Sequence, residues 1–422
     1  MTRTAVVCVL ALGAALPGRA DCPPQRLEPP TPWYGGDFGH QVAVGGAHLL
    51  VGDRFDDTLC PIIQNCGNGA VHAYRIDAGL GAWRWIQTFY ASDIDEYYRF
   101  GRSLSLDGDR LIVGASVSDL TSEDAGAAYV FEFQDGRWVE TGQIEPVEPI
   151  AASGFAHRVA VRGTAAVVGE PGRDLAWVYE ETEFGWEMRH KLAGPNEFGN
   201  AVAITDDWIF VAAHFDASPA KLSGSVFAYE REPGGGLSAP QKLTPPDFAV
   251  GPEFGAAIAA EGNTLMVGGP RSDRTFDSQG AVYHYELVDG EWELADQLTH
   301  AEPVSKDKFG EVLSISGDTL VANATGQWTG MRIGVSYVFR RAATGRWTQV
   351  LKIDPLAFME SIGAGGAATD GQSVALGAPG ETIGPALDCG AAYIFDLDCL
   401  LACRPDLDGD GELTFFDFLE FQ

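Results

Sequence analysis

The sequence predicts an all-β chain folded as a seven-bladed β-propeller of four-stranded blades. Three observations carry that expectation: a seven-residue motif recurring at a mean interval of 54 residues, the same succession of strand and turn signals after each copy, and a strand that the last repeat lacks but the opposite end of the chain supplies.

The motif reads FGHQVAV at 38–44, FGRSLSL at 100–106, FAHRVAV at 155–161, FGNAVAI at 198–204, FGAAIAA at 254–260 and FGEVLSI at 309–315, with a degenerate seventh copy, IGAGGAA, at 362–368. From Phe38 to Ile362 is 324 residues over six intervals. A tight polar turn follows each first strand, as in Asp107-Gly108, Gly262-Asn263, Gly317-Asp318 and Asp370-Gly371, the chemistry that closes two-residue hairpins. The second strand is short, apolar and ends in small residues: LIVGAS (111–116), LMVGGP (265–270), VALGAP (374–379). A variable loop rich in Asp, Ser and Gly leads to a third strand, GAAYVFEF (126–133), GSVFAYE (224–230), GAVYHYEL (280–287) or GAAYIFDL (390–397). The fourth strand keeps a fixed spacing. Trp83, Trp138, Trp186, Trp292 and Trp347 stand six residues before Phe89, Ile144, Leu192, Leu298 and Ile353, and Leu237 takes the place of Trp before Leu243. With 52 glycines in 422 residues, above the usual ~7 %, the composition suits a chain made mostly of hairpins.

The seventh repeat has three strands and then reaches Cys399 with no tryptophan and no fourth-strand signal. The apolar residue that ends a fourth strand stands eleven residues before the next FG phenylalanine in Phe89–Phe100, Ile144–Phe155, Leu243–Phe254 and Leu298–Phe309, and Leu27 stands eleven before Phe38. QRLEPP (25–30) therefore reads as the displaced counterpart of QKLTPP (241–246), completing blade seven and removing the bare edge that an open ring would present.

Residues 1–20 carry Arg3, an apolar run from Ala5 to Leu16 and a small-residue exit at Gly18-Arg19-Ala20, the pattern of a secretory signal. The run is too short to span a bilayer comfortably, and no later stretch approaches that length. The expected organisation is a signal peptide over 1–20, the propeller over 21–399 and a short tail over 400–422, in a protein outside the cytoplasm: extracellular, periplasmic or at the cell surface. A formal net charge of −31 repels phosphate backbones and argues against nucleic acid. Six cysteines follow the signal, and an even count in an exported chain favours disulfides. Cys60 and Cys66 close a local loop in this reading. At the termini the expected pairs are Cys22–Cys399 with Cys389–Cys403, and Cys22–Cys403 is the competing connection.

The succession FG-x-x-V-A-V, hairpin turn, L-x-V-G-A-P, then G-A-x-Y-V-F and a tryptophan resembles the FG-GAP repeat of bacterial secreted proteins, a relative of the repeat in the integrin α-subunit propeller. The resemblance covers about residues 25–397 and implies the propeller fold, with little about the ligand. Integrin-type blades often carry a D-x-D-x-D-G calcium loop between strands; the corresponding turns here are two-residue hairpins, so those sites do not carry over. The tail holds the one segment with a defined chemistry. In DLDGDGELTFFDF (406–418), Asp406, Asp408 and Asp410 match positions 1, 3 and 5 of an EF-hand calcium loop, Gly411 its turn, Glu412 its carbonyl ligand and Asp417 its position 12. Aspartate at position 12 and Pro405 before the loop resemble a dockerin-type loop, of which this sequence has a single copy. The implied cofactor is Ca2+.

No G-x-S-x-G elbow, H-E-x-x-H pair or phosphate loop occurs. His40 and His157 share the position after the blade-opening FG or FA, from which they face one mouth of the channel; a structural role is the default, since other blades place Arg, Asn, Ala or Glu there. The acids between second and third strands (Asp53, Asp56, Asp57; Asp119, Glu123, Asp124; Asp273, Asp277) read as a solvated rim, and the tryptophans as packing elements. The expected function is a non-catalytic, monomeric binding scaffold for an extracellular protein or polysaccharide. The alternative is an extracellular hydrolase or lyase acting on polysaccharide.

Overall fold

The computed structural model describes residues 23–32, 35–59, 67–77, 79–93, 98–116, 125–218, 223–246, 253–273, 276–326, 334–353, 365–382 and 389–402. The signal segment 1–20, Cys22, Cys60, Cys66, Cys403 and the calcium loop with Asp406, Asp408, Asp410, Glu412 and Asp417 lie outside them. The described residues form seven antiparallel sheets, a seven-bladed β-propeller. Blade one is Phe38–Gly45, His48–Asp53, Ala70–Asp77 and Ala82–Phe89, paired in chain order. Blade four breaks its fourth strand into Gly236–Leu237 and Gln241–Leu243, on either side of Pro240, which has no N–H to give a ladder. Among the described residues, two short helical elements fall outside the all-β reading: a single 3-10 turn, Pro171–Arg173, in blade three and a short helix, Leu397–Ala402, after the last strand.

Blade seven consists of Ala367–Thr369, Ser373–Ala378, Ala391–Asp396 and, as its fourth strand, Gln25–Leu27. The fixed spacing in the sequence is a pairing register. Phe89 sits opposite Val71, Ile144 opposite Ala128, Leu243 opposite Val226 and Leu298 opposite Val282. Leu27 sits opposite Ala392, the equivalent place in blade seven. Adjacent fourth strands are also clamped by an amide. Gln87 donates to the Trp138 carbonyl at 3.0 Å and accepts from its N–H at 2.8 Å, and Gln241 does the same to Trp292 at 2.9 and 2.7 Å. Gln25 makes this double bond to Trp83 of blade one, at 2.5 and 2.7 Å.

The first strands line the centre of the ring, each against the first strands on either side. The FG phenylalanines Phe38, Phe100, Phe155, Phe198, Phe254 and Phe309 are fully buried, each burial worth roughly 1.5–3 kcal/mol. Four of the five fourth-strand tryptophans, Trp83, Trp138, Trp292 and Trp347, are buried as packing elements, and Trp186 is half-buried. Apolar clusters run from blade to blade, and the one between blades seven and one holds Leu27, Phe38, Val51, Ala375 and Ile394.

Backbone meets backbone where blades touch. The N–H of Phe100 donates to the Asn68 carbonyl at 2.9 Å and that of Phe309 to the Gln279 carbonyl at 3.1 Å. Each acceptor precedes a glycine, Gly69 or Gly280, in the left-handed region at φ +81° and +82°. A second glycine, at the end of the second strand, faces the next blade's FG glycine. A Cβ on Gly268 would fall on the Gly310 carbonyl oxygen, and one on Gly377 on that of Gly39. Blades four and six place Ala212 and Asn323 there; the other five keep glycine.

Two substitutions separate shape from backbone freedom in blade five. Gly262 turns a hairpin at φ +53° with open space around it, whereas Gly268 has no positive φ but no room. Gly262→Ala should cost about 1 kcal/mol through the left-handed conformation alone. Gly268→Ala should cost about 2–3 kcal/mol through overpacking. Chemical denaturation measures both, and an equal cost would contradict the close-contact account.

Candidate functional site

The end of the ring where the first strands begin gathers charged side chains from blade after blade. The residue after FG or FA is His40, Arg102, His157, Asn200, Ala256 and Glu311 in blades one to six. Arg54 and His214 join from just beyond the second strands of blades one and four, and Arg158 follows His157. Arg54 approaches His40 Nε2 to 3.3 Å and Asp37 to 2.5 Å. Arg102 donates to His157 Nδ1 at 3.3 Å. The Phe55 ring lies between Arg54 and Arg99, 4.7 and 5.9 Å from its centroid, close enough for both to be held by its π face.

These groups feel one another. Burial, and then the charges of Arg54, Arg158 and Arg102, hold His40 down at about 2. Burial with Arg158 and Arg102 holds His157 at about 3, and burial with Arg158 and Arg271 holds His214 at about 4. All three imidazoles are therefore neutral at neutral pH, and the positive charge belongs to the arginines. Burial, Arg158 and Arg54 pull Arg102 down to about 10, and burial with Arg54 lowers Arg158. Among the described residues no carboxylate oxygen lies within salt-bridge distance of Arg102 or Arg158, whereas Arg54 is matched by Asp37.

Across the mouth, blades four to six present acids, two of them with their own cations: Arg271 is 3.0 Å from Glu253 and Lys308 3.7 Å from Glu311, while the neutral His214 is 3.5 Å from Glu197. Burial raises Glu197 and Glu253. At the opposite end the hairpins are charge-compensated, with Arg110 on Glu132 and Glu181 at 2.7 Å and Arg162 on Asp206 at 2.8 Å. The mouth is thus a polarised site: uncompensated arginines on the side of blades two and three, carboxylates on the other.

His40 and His157 do come together as the sequence suggests. Arg54, Arg102, Arg158 and His214 escape a sequence search, because no local motif marks them; the signal is their shared place in a repeat 54 residues long. The reading of the inter-strand acids as a solvated rim needs correction. Asp273 and Asp277 are exposed, but Asp53, Asp56 and Asp57 are only 3 %, 2 % and 3 % exposed. They sit in a turn folded under the blade, where Asp53 Oδ1 accepts the Asp37 and Phe55 N–H groups, Asp56 Oδ1 that of Thr58 and Asp57 Oδ1 that of Gly67. Asp119, Glu123 and Asp124 lie outside the described residues. Cys389 is buried, its sulfur 3.8 Å from the Glu381 carbonyl oxygen, and Cys399 is disulfide-bonded.

The family model described as the FG-GAP repeat matches residues 83–131 and 238–285. These two stretches carry the FG-GAP repeat. Both matches start in the fourth strand of one blade and end in the third strand of the next, so the FG-GAP unit straddles the contact between blades. Among curated proteins none matches this chain. Of solved structures, a streptogramin B lyase is similar over 88 % of this chain and 96 % of its own at 10 % identity and a TM-score of 0.50, a likeness of fold. A protein from Bacteroides fragilis described as a candidate 6-phosphogluconolactonase covers 75 % of this chain and 84 % of its own, with 15 % identity and a TM-score of 0.45.

The depressed histidines make acid stability a test of the mouth. For His157 the folded value of about 3 lies below that of the unfolded chain, ~6.5. The unfolded chain takes the proton first, so the stabilisation is complete above ~6.5 and is lost as pH falls toward the folded value. His157→Asn should lose less stability than the wild type between about pH 7 and about pH 5. Parallel denaturation curves for the two proteins would show that His157 is not held neutral.

Proposed function

We propose that this FG-GAP propeller is an exported, non-catalytic binding scaffold whose channel mouth takes an anionic group of an extracellular or cell-surface polysaccharide or protein. The observation that carries the reading is the pair Arg102 and Arg158, half-buried and with no carboxylate within salt-bridge distance among the described residues, in a chain with a net charge of −31. Placing uncompensated guanidinium groups in a confined site costs folding free energy, and a carboxylate or sulfate ligand returns it as charge-assisted hydrogen bonds. The carboxylates across the mouth suit hydroxyl donors on the same ligand. Histidines held at about 2, 3 and 4 are poorly matched to proton transfer near neutrality, which favours recognition over turnover. Export rests on residues 1–20; no helix among the described residues is long and apolar enough to cross a membrane.

In this reading the N-terminal strand is the latch that keeps the ring rigid around the mouth. Beyond the Gln25 clamp, Arg26 Nε donates to Glu381 at 2.8 Å and the Tyr393 hydroxyl donates to the same carboxylate at 2.9 Å. The disulfide at Cys399 is assigned to Cys22, one residue before the described N-terminal segment, with Cys389–Cys403 and Cys60–Cys66 as the other proposed bridges. The tail, with Asp406, Asp408, Asp410, Glu412 and Asp417 around Ca2+, is proposed as a separate calcium-dependent attachment.

Two experiments test these proposals. On arrays of acidic and neutral glycans and surface proteins, the wild type should bind acidic ligands with a salt-dependent affinity. Arg102→Ala with Arg158→Ala should weaken this binding about tenfold or more. Retained binding in the double variant, or depolymerisation of a bound glycan, would reject the reading. Calcium titration of the intact protein should show one site that disappears in Asp408→Ala; no binding at millimolar calcium would remove the tail from it.

A further inference from the structure

We infer that Asp53, Asp56 and His72 of blade one form a binding site for a divalent metal ion of the zinc class. One carboxylate oxygen of each aspartate and one imidazole nitrogen lie within 4.8 Å of one another, and all three side chains are at most 3 % exposed. The site is distinct from both the channel mouth and the C-terminal tail.

The other blades serve as internal controls. Asp56 occupies a turn that recurs: its N–H bonds to the Asp53 carbonyl and its own carbonyl accepts the Gly69 N–H. Asp216 in blade four and Glu381 in blade seven make the same two bonds, to Ala213 and Gly224 and to Ala378 and Gly390. There the buried acid has a cation on the fourth strand. Lys242 Nζ is 2.7 Å from Asp216, and Arg26 Nε is 2.8 Å from Glu381. The equivalent residue in blade one is Thr88, which precedes Phe89 as Lys242 precedes Leu243 and Arg26 precedes Leu27. Blade one also adds a second acid, Asp53, where blades four and seven have Ala213 and Ala378. A volume that is neutral in those blades therefore holds two carboxylates and, among the described residues, no side-chain cation within salt-bridge distance; Arg54, next in the chain, is engaged with Asp37.

The third departure is His72. Its place in the third strand is aromatic in every other blade: Tyr129, Trp177, Phe227, Tyr283, Tyr337 and Tyr393. The imidazole is oriented as a ligand. Nδ1 lies 2.9 Å from Thr88 Oγ1, and with the proton on Nδ1 donated to that hydroxyl, the Nε2 lone pair is free. Nε2 is buried without a hydrogen-bond partner and stands 4.0 Å from Asp56 Oδ2. Both carboxylates are already braced by backbone N–H groups, Asp53 by Asp37 and Phe55 and Asp56 by Thr58.

One imidazole and two carboxylates suit zinc or a similar borderline ion, in contrast to the all-oxygen set that calcium prefers. The bound ion would replace Lys242 and Arg26 of the other blades. It would also fix the turn that carries Arg54 to the channel mouth.

The test uses the full chain, stripped with chelator and titrated with zinc, with calorimetry, retained metal after desalting and melting temperature as readouts. The wild type should retain one equivalent and melt higher when loaded. Thr88→Lys, which supplies the cation of blades four and seven, and His72→Phe, which restores the aromatic ring, should fold and lose zinc affinity on the order of a hundredfold. The isosteric Asp56→Asn keeps the bond from Thr58 and should show the same loss, so one folded variant suffices. Asp408→Ala should bind zinc as the wild type does. No zinc bound by the wild type at millimolar concentration, or undiminished binding in a folded Thr88→Lys, His72→Phe or Asp56→Asn, would overturn the assignment.

Discussion

Close backbone contact between blades is the constraint on which the rest of this structure depends. Where Gly69 meets Phe100, Gly280 meets Phe309, and Gly268 meets Gly310, main chains approach to distances that leave no space for a Cβ. That approach lets a phenylalanine N–H reach across to the preceding blade and seals the FG ring beneath it. It also explains why the family unit overlaps two blades. What repeats is the last strand of one blade, the first three of the next and the glycine contact between them, since the contact, more than the isolated sheet, fixes the identity of residues.

The same contact must exist between the last blade and the first, and it does: the Phe38 N–H donates to the Cys389 carbonyl at 3.4 Å, and Gly377 packs against Gly39. The N-terminal strand adds a second bond to this joint. Leu27 packs into the cluster shared by blades seven and one, while Gln25 reaches the backbone of Trp83. A joint formed by residues hundreds of positions apart costs more loop-closure entropy than one between neighbours. Extra strand pairing, an amide clamp and a salt bridge at this position offset that cost.

Much of this was legible in the sequence because repetition converts weak local signals into strong ones. Trp83 to Phe89 is one spacing among many; found again at Trp138, Trp292 and Trp347, it becomes a pairing register. The place of QRL followed from a second recurring spacing, the eleven residues from Leu27 to Phe38. The functional surface was less legible for a physical reason. Arg54, Arg102 and Arg158 come from three blades, and only closure of the ring brings them to one mouth. Burial was the other blind spot. Asp53, Asp56 and Asp57 look like any polar loop in one dimension, and nothing in the string DRFDDT tells that the turn folds beneath its own blade. The substitution of His72 for an aromatic residue was visible, but its meaning required knowing that Thr88 and Asp56 face it.

Repeat architecture also gives a way to separate scaffold from specialisation within one molecule. Each buried group has equivalents in other blades under nearly the same packing, so a local departure is measured against a built-in reference. By that measure the turn after the second strand is a scaffold feature: an acid there is tolerated wherever the fourth strand brings Lys242 or Arg26 to it. Blade one departs at three coupled positions, gaining Asp53, losing the cation at Thr88 and exchanging an aromatic ring for His72. Drift at single positions would leave a buried charge uncompensated at a cost of several kcal/mol, which a marginally stable fold does not absorb readily. The three changes make sense together only if something else supplies positive charge. Arg102 and Arg158 at the mouth pose the converse demand, for negative charge. The regular part of this propeller balances its buried charges blade by blade, and the irregular part leaves the two sites for which we propose a balancing ligand from outside the chain.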